Sequence, residues 1–510
     1  MKKLPLGIQS FPEIRSMGLL YVDKTENIIN VIENGKYNFL SRPRRFGKSL
    51  TLSTIKEMFN GRKELFKGLW AEKNWDWDST HPVVHFSFSS IGYKELGLEK
   101  AIEKRLKEIA ADFNVSIKEE GVSQQFKELI SKLSEINQAV LLIDEYDKPI
   151  IDYLDDIPQA KENQKTLKSF YSVIKDSDPY IRFLLITGVS KFSKVSIFSE
   201  LNNLTDLTLH PRYSTLTGYT QKELEHYFAE GIDEFAEVLS PSKKELIELV
   251  KEWYNGYSWD GKNFLYNPYS ILSFFDTGQF RNFWFSTGTP TFLIKLLKGR
   301  RFIDLEKTEV DESAFESYDI ENLDTVPLLF QTGYLTIKSL GGFGIYCLDY
   351  PNREVKESLL RHLIGAFRND SAAYSTPIVI RLRKAFLENN HERIIEIING
   401  LFKSIPSHIF IKEKEAYYHS VVFLVFQYLG QFIDAEVNTS DGRIDAVVKT
   451  ETHIYILEFK LDESAGAALE QIRKKDYAEK YKLSGKKITG IGINFSSKTK
   501  SVEGWEVEYF

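Results

Sequence analysis

The stretch Phe39-Leu40-Ser41-Arg42-Pro43-Arg44-Arg45-Phe46-Gly47-Lys48-Ser49 decides how this chain is read. Tyr37 to Leu40 is a short, largely apolar run of the kind that forms a buried strand. From Lys48 onward, apolar residues recur at helical spacing: Leu50, Leu52, Ile55 and Met58. A strand, a short loop and a helix opening on Gly-Lys-Ser is the context of a nucleotide-phosphate loop. Gly47 lets the backbone come close to a phosphate, and the helix N-terminus turns free N–H groups toward it. Lys48 is expected to reach the β- and γ-phosphates, and Ser49 to hold Mg²⁺. One position departs from G-x-x-x-x-G-K-[ST]: Arg42 stands where the first glycine belongs. Taken alone, the stretch also suits a basic turn that caps a helix.

A second segment favours the nucleotide reading. Ala139-Val140-Leu141-Leu142-Ile143 is continuously apolar, as a central parallel strand requires, and ends in Asp144-Glu145. Carboxylates at the C-terminal end of such a strand sit where α/β sheets bind ligands. Asp144 is expected to steer the Mg²⁺ shell, and Glu145 to polarise a water for attack on the γ-phosphate. The bland alternative is an acidic loop capping a helix near Pro149. A third apolar run, Phe183-Leu184-Leu185-Ile186, ends in Thr187-Gly188-Val189-Ser190, where Thr187 or Ser190 could sense the γ-phosphate.

The 510 residues exceed a single core and call for two or three domains. A net charge of −6 gives no global nucleic-acid signature. The single cysteine, Cys347, excludes intrachain disulfides and fits a reducing cytoplasm. No apolar run approaches the length of a membrane span, and the N-terminus lacks a signal-peptide core. A cytoplasmic protein is expected, with no membrane partner.

Along the chain, residues 1–36 lead into the first strand, and Tyr21-Val22-Asp23-Lys24-Thr25 could cradle an adenine. His81 to Phe88 reads as a strand between the phosphate-loop helix and the Asp144-Glu145 strand, with helices at about 96–113 and 123–136. An added strand between phosphate-loop and acidic strands is the arrangement of ATPases that set a catalytic Glu beside a Mg²⁺-bound Asp. This alternation predicts an α/β fold with a parallel sheet over 1–215. A helical lid is expected over 216–300, with breaks at Tyr254-Asn255-Gly256-Tyr257 and Trp259-Asp260-Gly261. A connector with β runs and helices follows over 301–405, and a last α/β domain over 406–510.

That last domain carries its own constellation. Gly442 to Val448 and Ile454 to Lys460 read as a hairpin whose loop, if symmetric about 451/452, pairs Asp445 with Glu458. Side chains alternate along a strand, so Glu458 and Lys460 share a face, with Asp445 across. Asp445 and Glu458 can chelate Mg²⁺ through hard oxygens, while Lys460 can activate a water or stabilise a crowded phosphate. The alternative is a surface Glu–Lys pair. Asp-x(12)-Glu-x-Lys resembles the core of the PD-(D/E)XK nuclease superfamily. That resemblance implies a further acidic ligand at Glu415, on the preceding helix, and a supporting Gln471. Between Gly466 and Lys500 nine Lys/Arg face three acids, a basic stretch suited to a phosphate backbone.

Taken whole, the chain resembles the AAA-ATPase-like family fused to a C-terminal PD-(D/E)XK nuclease domain, found in bacteria and some archaea. The matching stretches are Tyr21 to Thr25, Arg42 to Ser49, Leu142 to Asp147, Thr187 to Lys191, Ser199 to Leu204, Tyr254 to Tyr257, Tyr266 to Pro268, and the C-terminal Gly442 to Asp445 and Glu458 to Lys460. Within that family the arginine at position 42 is usual. The resemblance implies a P-loop NTPase sheet with a helical lid, followed by a nuclease-like domain. ATP and Mg²⁺ would be held by Arg45, Gly47, Lys48, Ser49, Asp144 and Thr187. The function expected is an ATPase that regulates a Mg²⁺-dependent nuclease acting on DNA or RNA, with oligomerisation possible. The alternative is a signalling ATPase whose last domain binds nucleic acid or protein without cutting.

Overall fold

The computed structural model describes residues 1–191, 197–198, 201, 203–239, 242–285, 293–294, 297, 305–315, 323–403, 414–440, 443–499 and 501–510; the side chains of 414–419, 437–440 and 443–445 are outside this description. The chain divides into two compact units, Met1–Thr287 with Leu305–Glu354, and Gly288–Asp304 with Val355–Phe510. The 301–405 stretch is thus shared between them. The stretch Ser199 to Leu204 lies mostly outside the described residues.

The first unit is built on five parallel strands: β1 (Tyr37–Ser41), β2 (Val83–Ser87), β3 (Ala139–Asp144), β4 (Ile181–Gly188) and β5 (Thr205–Asp206). Their spatial order is β2-β3-β4-β1-β5. The strand between the Lys48 loop and the acidic strand is therefore β4, not the His81 to Phe88 run, which forms β2 on the far side of β3. Local periodicity does not encode the order of parallel strands, because every crossover is long. β1, β3 and β4 are buried along their whole lengths apart from Arg182, as a sheet covered on both faces demands. Alternate residues go to opposite faces. Leu40, Val140, Leu142, Phe183 and Leu185 pack with Leu52, Ile55, Met58 and Phe59 of helix Lys48–Phe59. On the other face Phe39 meets Tyr146 and Phe86 meets Phe170, the latter on the twenty-residue helix Ile157–Asp176.

The segment after β5 is helical: Gln221–Tyr227, Ala229–Leu239, Lys243–Tyr254 and Pro268–Thr277. Thr220 and Glu223 form a reciprocal capping box at its start. These helices bury Phe228, Ile232, Leu246, Val250, Ile271 and Phe274 with Leu20 and Val22 of the lead-in. A small antiparallel sheet of β6 (Thr308–Val310), β7 (Thr336–Leu340) and β8 (Tyr346–Asp349) completes the unit, in the order β6-β8-β7.

In the second unit, β9 (Asp434–Ser440), β10 (Arg443–Lys449), β11 (His453–Leu461), β12 (Lys487–Ser496) and β13 (Ser501–Tyr509) form one mixed sheet, ordered β13-β12-β11-β10-β9. β11 and β12 are parallel, joined through helix Ala465–Lys474. Helix Lys414–Leu429 packs on β9 and β10. Among the described residues, no helix is long and apolar enough to cross a membrane.

Candidate functional site

In the first unit the site grows from the end of β1. The backbone leaves the strand at Arg42, turns through Arg45 at φ +66° and Gly47 at φ +89°, and enters the helix at Lys48. Among the described residues no side chain caps that helix, which leaves its first N–H groups for the cavity in front of them. The loop is held from behind. Arg42 is fully buried and donates to the carbonyls of Ser41 at 2.9 Å, Thr208 at 2.9 Å and Tyr213 at 3.3 Å. Its guanidinium lies 4.0 Å from the centre of the Trp259 ring. Phe46, also fully buried, packs edge-on against Tyr257 and Trp259. The Trp284 indole donates to Arg44 O at 3.0 Å, and the Asn267 amide reaches the same carbonyl at 3.5 Å. Where the motif's missing glycine would leave space, this loop has a buried cation and an aromatic cage.

Lys48 donates to Arg42 O at 2.8 Å and Pro43 O at 2.9 Å, and burial lowers its pKa against the pull of Asp144, Asp147 and Glu145. Ser49 Oγ donates to Asp144 Oδ2 at 2.5 Å. Thr187 Oγ1, at the end of β4, donates to Asp144 Oδ1 at 2.7 Å. Asp144 is therefore held between the loop and the strand beside it. Glu145 sits at φ +52°, a conformation costly for a residue with a Cβ and a marker of functional strain. Burial, then the Asp144 charge, raises its carboxyl pKa. The two polar residues that sequence reasoning left open divide their roles. Thr187 serves Asp144, whereas Ser190 donates its hydroxyl to Asp147 Oδ2 at 2.7 Å. Asp147, buried and with its pKa raised by that burial, also accepts from the N–H groups of Val189 and Ser190.

A cavity of about 320 Å³ opens before this loop. Arg45, Gly47, Lys48, Ser49 and Glu145 line it; Asp144 stands one hydrogen bond behind the wall and Thr187 a second one behind Asp144. Its far side comes from Pro5 to Gln9 and from Tyr219 and Tyr269, with Arg45 over the Tyr269 ring at 5.0 Å. The lead-in thus reaches the cavity, but through Pro5, Gly7, Ile8 and Gln9 rather than through Tyr21 to Thr25. That motif does structural work instead. Asp23 accepts from Thr25 and from Trp70 N, and Lys24 pairs with Glu223 at 2.7 Å. Pro5 to Gln9 carries no periodic pattern or charge cluster, so no sequence signal marked it. The donor set suits a polyphosphate with Mg²⁺: an ammonium, open helix N–H groups, and a hydroxyl–carboxylate pair of hard oxygens.

The second unit holds the other constellation. Asp445 lies opposite Glu458 in the β10–β11 register, as the symmetric hairpin requires. Glu458 is fully buried, and neither of its carboxylate oxygens has a hydrogen-bond partner among the described residues. Lys460, one strand repeat away on the same face, stands 3.8 Å from Glu458 Oε1 and donates to Gln471 Oε1 at 2.7 Å. A buried carboxylate with unfilled lone pairs costs several kcal/mol unless cations meet it. One ammonium does not fill four lone-pair sites, and a hard divalent cation fits the remainder. The side chains of Glu415 and Asp445, the other expected ligands, lie outside the described residues. The basic stretch is less one-sided than its count. Arg473 pairs with Glu508 of β13 at 2.9 Å, and β13 also carries Glu503 and Glu506.

Comparison with known proteins finds a family match over each of the two regions that hold these constellations. A family model described as a predicted AAA-ATPase matches residues 5–198, and one for the PD-(D/E)XK nuclease superfamily matches 413–505. A protein of Azotobacter chroococcum mcd 1, described as an uncharacterized protein in the vnfD 5′ region, is 39% identical over 525 residues, spanning 99% of each chain. No solved structure matches.

Proposed function

The chain belongs to the predicted AAA-ATPase-like family and carries a PD-(D/E)XK nuclease superfamily domain, and on that premise we propose an ATPase that governs a metal-dependent nuclease. Residues 1–215 would be a P-loop NTPase core with the 216–300 helices as its lid, and 301–405 a connector leading to the nuclease-like 406–510. Lys48 and the open N–H groups of its helix bind the β- and γ-phosphates. Ser49 and Asp144 hold Mg²⁺, with Thr187 orienting the carboxylate. Glu145 takes a proton from the attacking water, a role its raised pKa suits. In the second unit Asp445, Glu458 and Glu415 are the metal ligands, Lys460 orients the nucleophilic water, and Gln471 fixes the ammonium. Bound Mg²⁺ supplies charge neutralisation at both sites and a more acidic water at the second.

The observation that carries the nuclease reading is the buried, hydrogen-bond-starved Glu458 carboxylate beside Lys460. The test is cleavage of plasmid and single-stranded substrates with Mg²⁺ or Mn²⁺, with and without ATP. Cutting should vanish in Asp445→Ala, nucleotide affinity should vanish in Lys48→Ala, and Glu145→Gln should bind ATP without hydrolysing it. Binding without cleavage would favour a second reading, a switch ATPase whose last domain only docks a partner. The β13 glutamates that offset the basic helix speak for that reading.

A further inference from the structure

Three helices of the second unit, ending at Arg368, spanning Ser375–Leu387 and spanning His391–Lys403, surround a cleft of about 230 Å³ away from Glu458 and Lys460 in sequence. Each contributes one arginine: Arg368, Arg381 and Arg393. The floor between them is apolar, formed by Ile378, Ile397 and Leu401. Arg368 pairs with Asp370 at 3.3 Å and Arg393 with Glu396, also in the cleft wall. Arg381 has no ion-pair or hydrogen-bond partner among the described residues. Burial, and then the nearby Arg381 charge, lower the Arg368 pKa while Asp370 opposes them. Two of the three guanidiniums thus have a carboxylate beside them, and Arg381 is left as the charge that an added anion over the apolar floor would neutralise.

We propose that this cleft is a phosphate subsite. Resting on the nuclease reading above, it takes a backbone phosphate of the nucleic-acid strand that the Glu458–Lys460 site acts on, with a sugar or base on the apolar floor. Guanidinium forks match phosphate oxygens in pairs, which an ammonium cannot do. Gly400 lies in the wall with open space where a Cβ would stand, so a larger side chain there would fill the cleft without removing a charge.

The test uses the full chain carrying Lys48→Ala, which silences the other phosphate site, without divalent metal. The probes are a fluorescent single-stranded oligonucleotide and inorganic pyrophosphate. Arg381→Glu and Gly400→Leu, both at exposed positions, should each weaken strand binding about tenfold or more. Arg381→Glu should also flatten the salt dependence, by about 0.7 in log–log slope for each phosphate no longer engaged. Unchanged affinity and slope in folded variants overturn the subsite and leave the nuclease reading standing. A parent that binds the strand in this way yet never cuts it sinks the nuclease reading and supports the subsite. Pyrophosphate binding that depends on Arg381, with no strand binding by the parent, overturns the strand assignment in favour of a free polyphosphate ligand. No binding of either probe overturns the proposal.

Discussion

Replacing Arg42 with glycine restores the residue that the phosphate-loop pattern lacks, and it should damage the protein. Arg42 is fully buried and makes two good hydrogen bonds to carbonyls, at 2.9 Å each, with a weaker third at 3.3 Å. Hydrogen bonds from a charged donor are worth about 1.5–3 kcal/mol each, net of desolvation. Two of them give about 3–6 kcal/mol. The glycine adds roughly 0.5–1 kcal/mol of backbone entropy, besides the void left under Trp259. A loss of about 3.5–7 kcal/mol follows. In a unit of this size it should lower the melting temperature by on the order of 10 °C. Nucleotide affinity should fall with it, about tenfold, because Lys48 is positioned by the carbonyls of Arg42 and Pro43. Arg42→Lys should recover only part of both, since a point charge cannot reach several divergent carbonyls. Thermal unfolding and nucleotide titration read the two effects. If Arg42→Gly melts and binds like the parent, the buried arginine is a tolerated substitution and not an anchor.

Glu354 gives a pH test. It is fully buried, accepts from Trp284 N at 2.6 Å and Ser270 Oγ at 2.7 Å, and burial pushes its pKa up to about 7. The folded state then holds a proton that the unfolded chain releases near its ordinary value of 4.5. Stability is present in full below that value, declines as pH rises toward 7, and is flat above, by a few kcal/mol in all; Glu354→Gln should remove this slope in denaturant titrations across pH, and an unchanged slope would count against the assignment. At the second site, Mn²⁺ calorimetry should find affinity lost in Glu458→Gln but kept in Lys460→Ala, while cleavage is lost in both. Equal behaviour of the two variants would reduce the pair to a structural role.

The elements legible in the sequence were those fixed by local pattern. β3 is continuously apolar up to Asp144, with Glu145 following, so its place inside the sheet and its acidic tip followed directly. The Asp445–Glu458 register followed from loop symmetry alone, because a short hairpin leaves one pairing. What escaped was long-range. Nothing near Arg42 announces that Trp259, more than two hundred residues on, will roof its guanidinium. An added strand between β1 and β3 was expected, but that it is β4 and not the His81 to Phe88 run escaped for the same reason, and helix Ala229–Leu239 was hidden in the lid pattern. The basic count over 466–500 stopped short of β13, so it did not register that Glu508 takes up Arg473.

The aromatic cage behind the loop also bears on what can be inherited or exchanged as a piece. The family match in the first unit ends at residue 198, yet Phe46, Arg42 and the Arg44 carbonyl are held by Tyr257, Trp259 and Trp284. Pro43 leaves no room for a Cβ at Gly333, and Lys191 N is bonded to the Gln331 side chain at 2.7 Å. A recombination breakpoint just after the matched region would sever the loop from the aromatic residues and carbonyls that hold it from behind. Such a graft would carry the Gly-Lys-Ser signature but present Arg42 and Phe46 to water. The transferable module is the compact unit Met1–Thr287 with Leu305–Glu354, so recombination should favour crossovers that keep it intact.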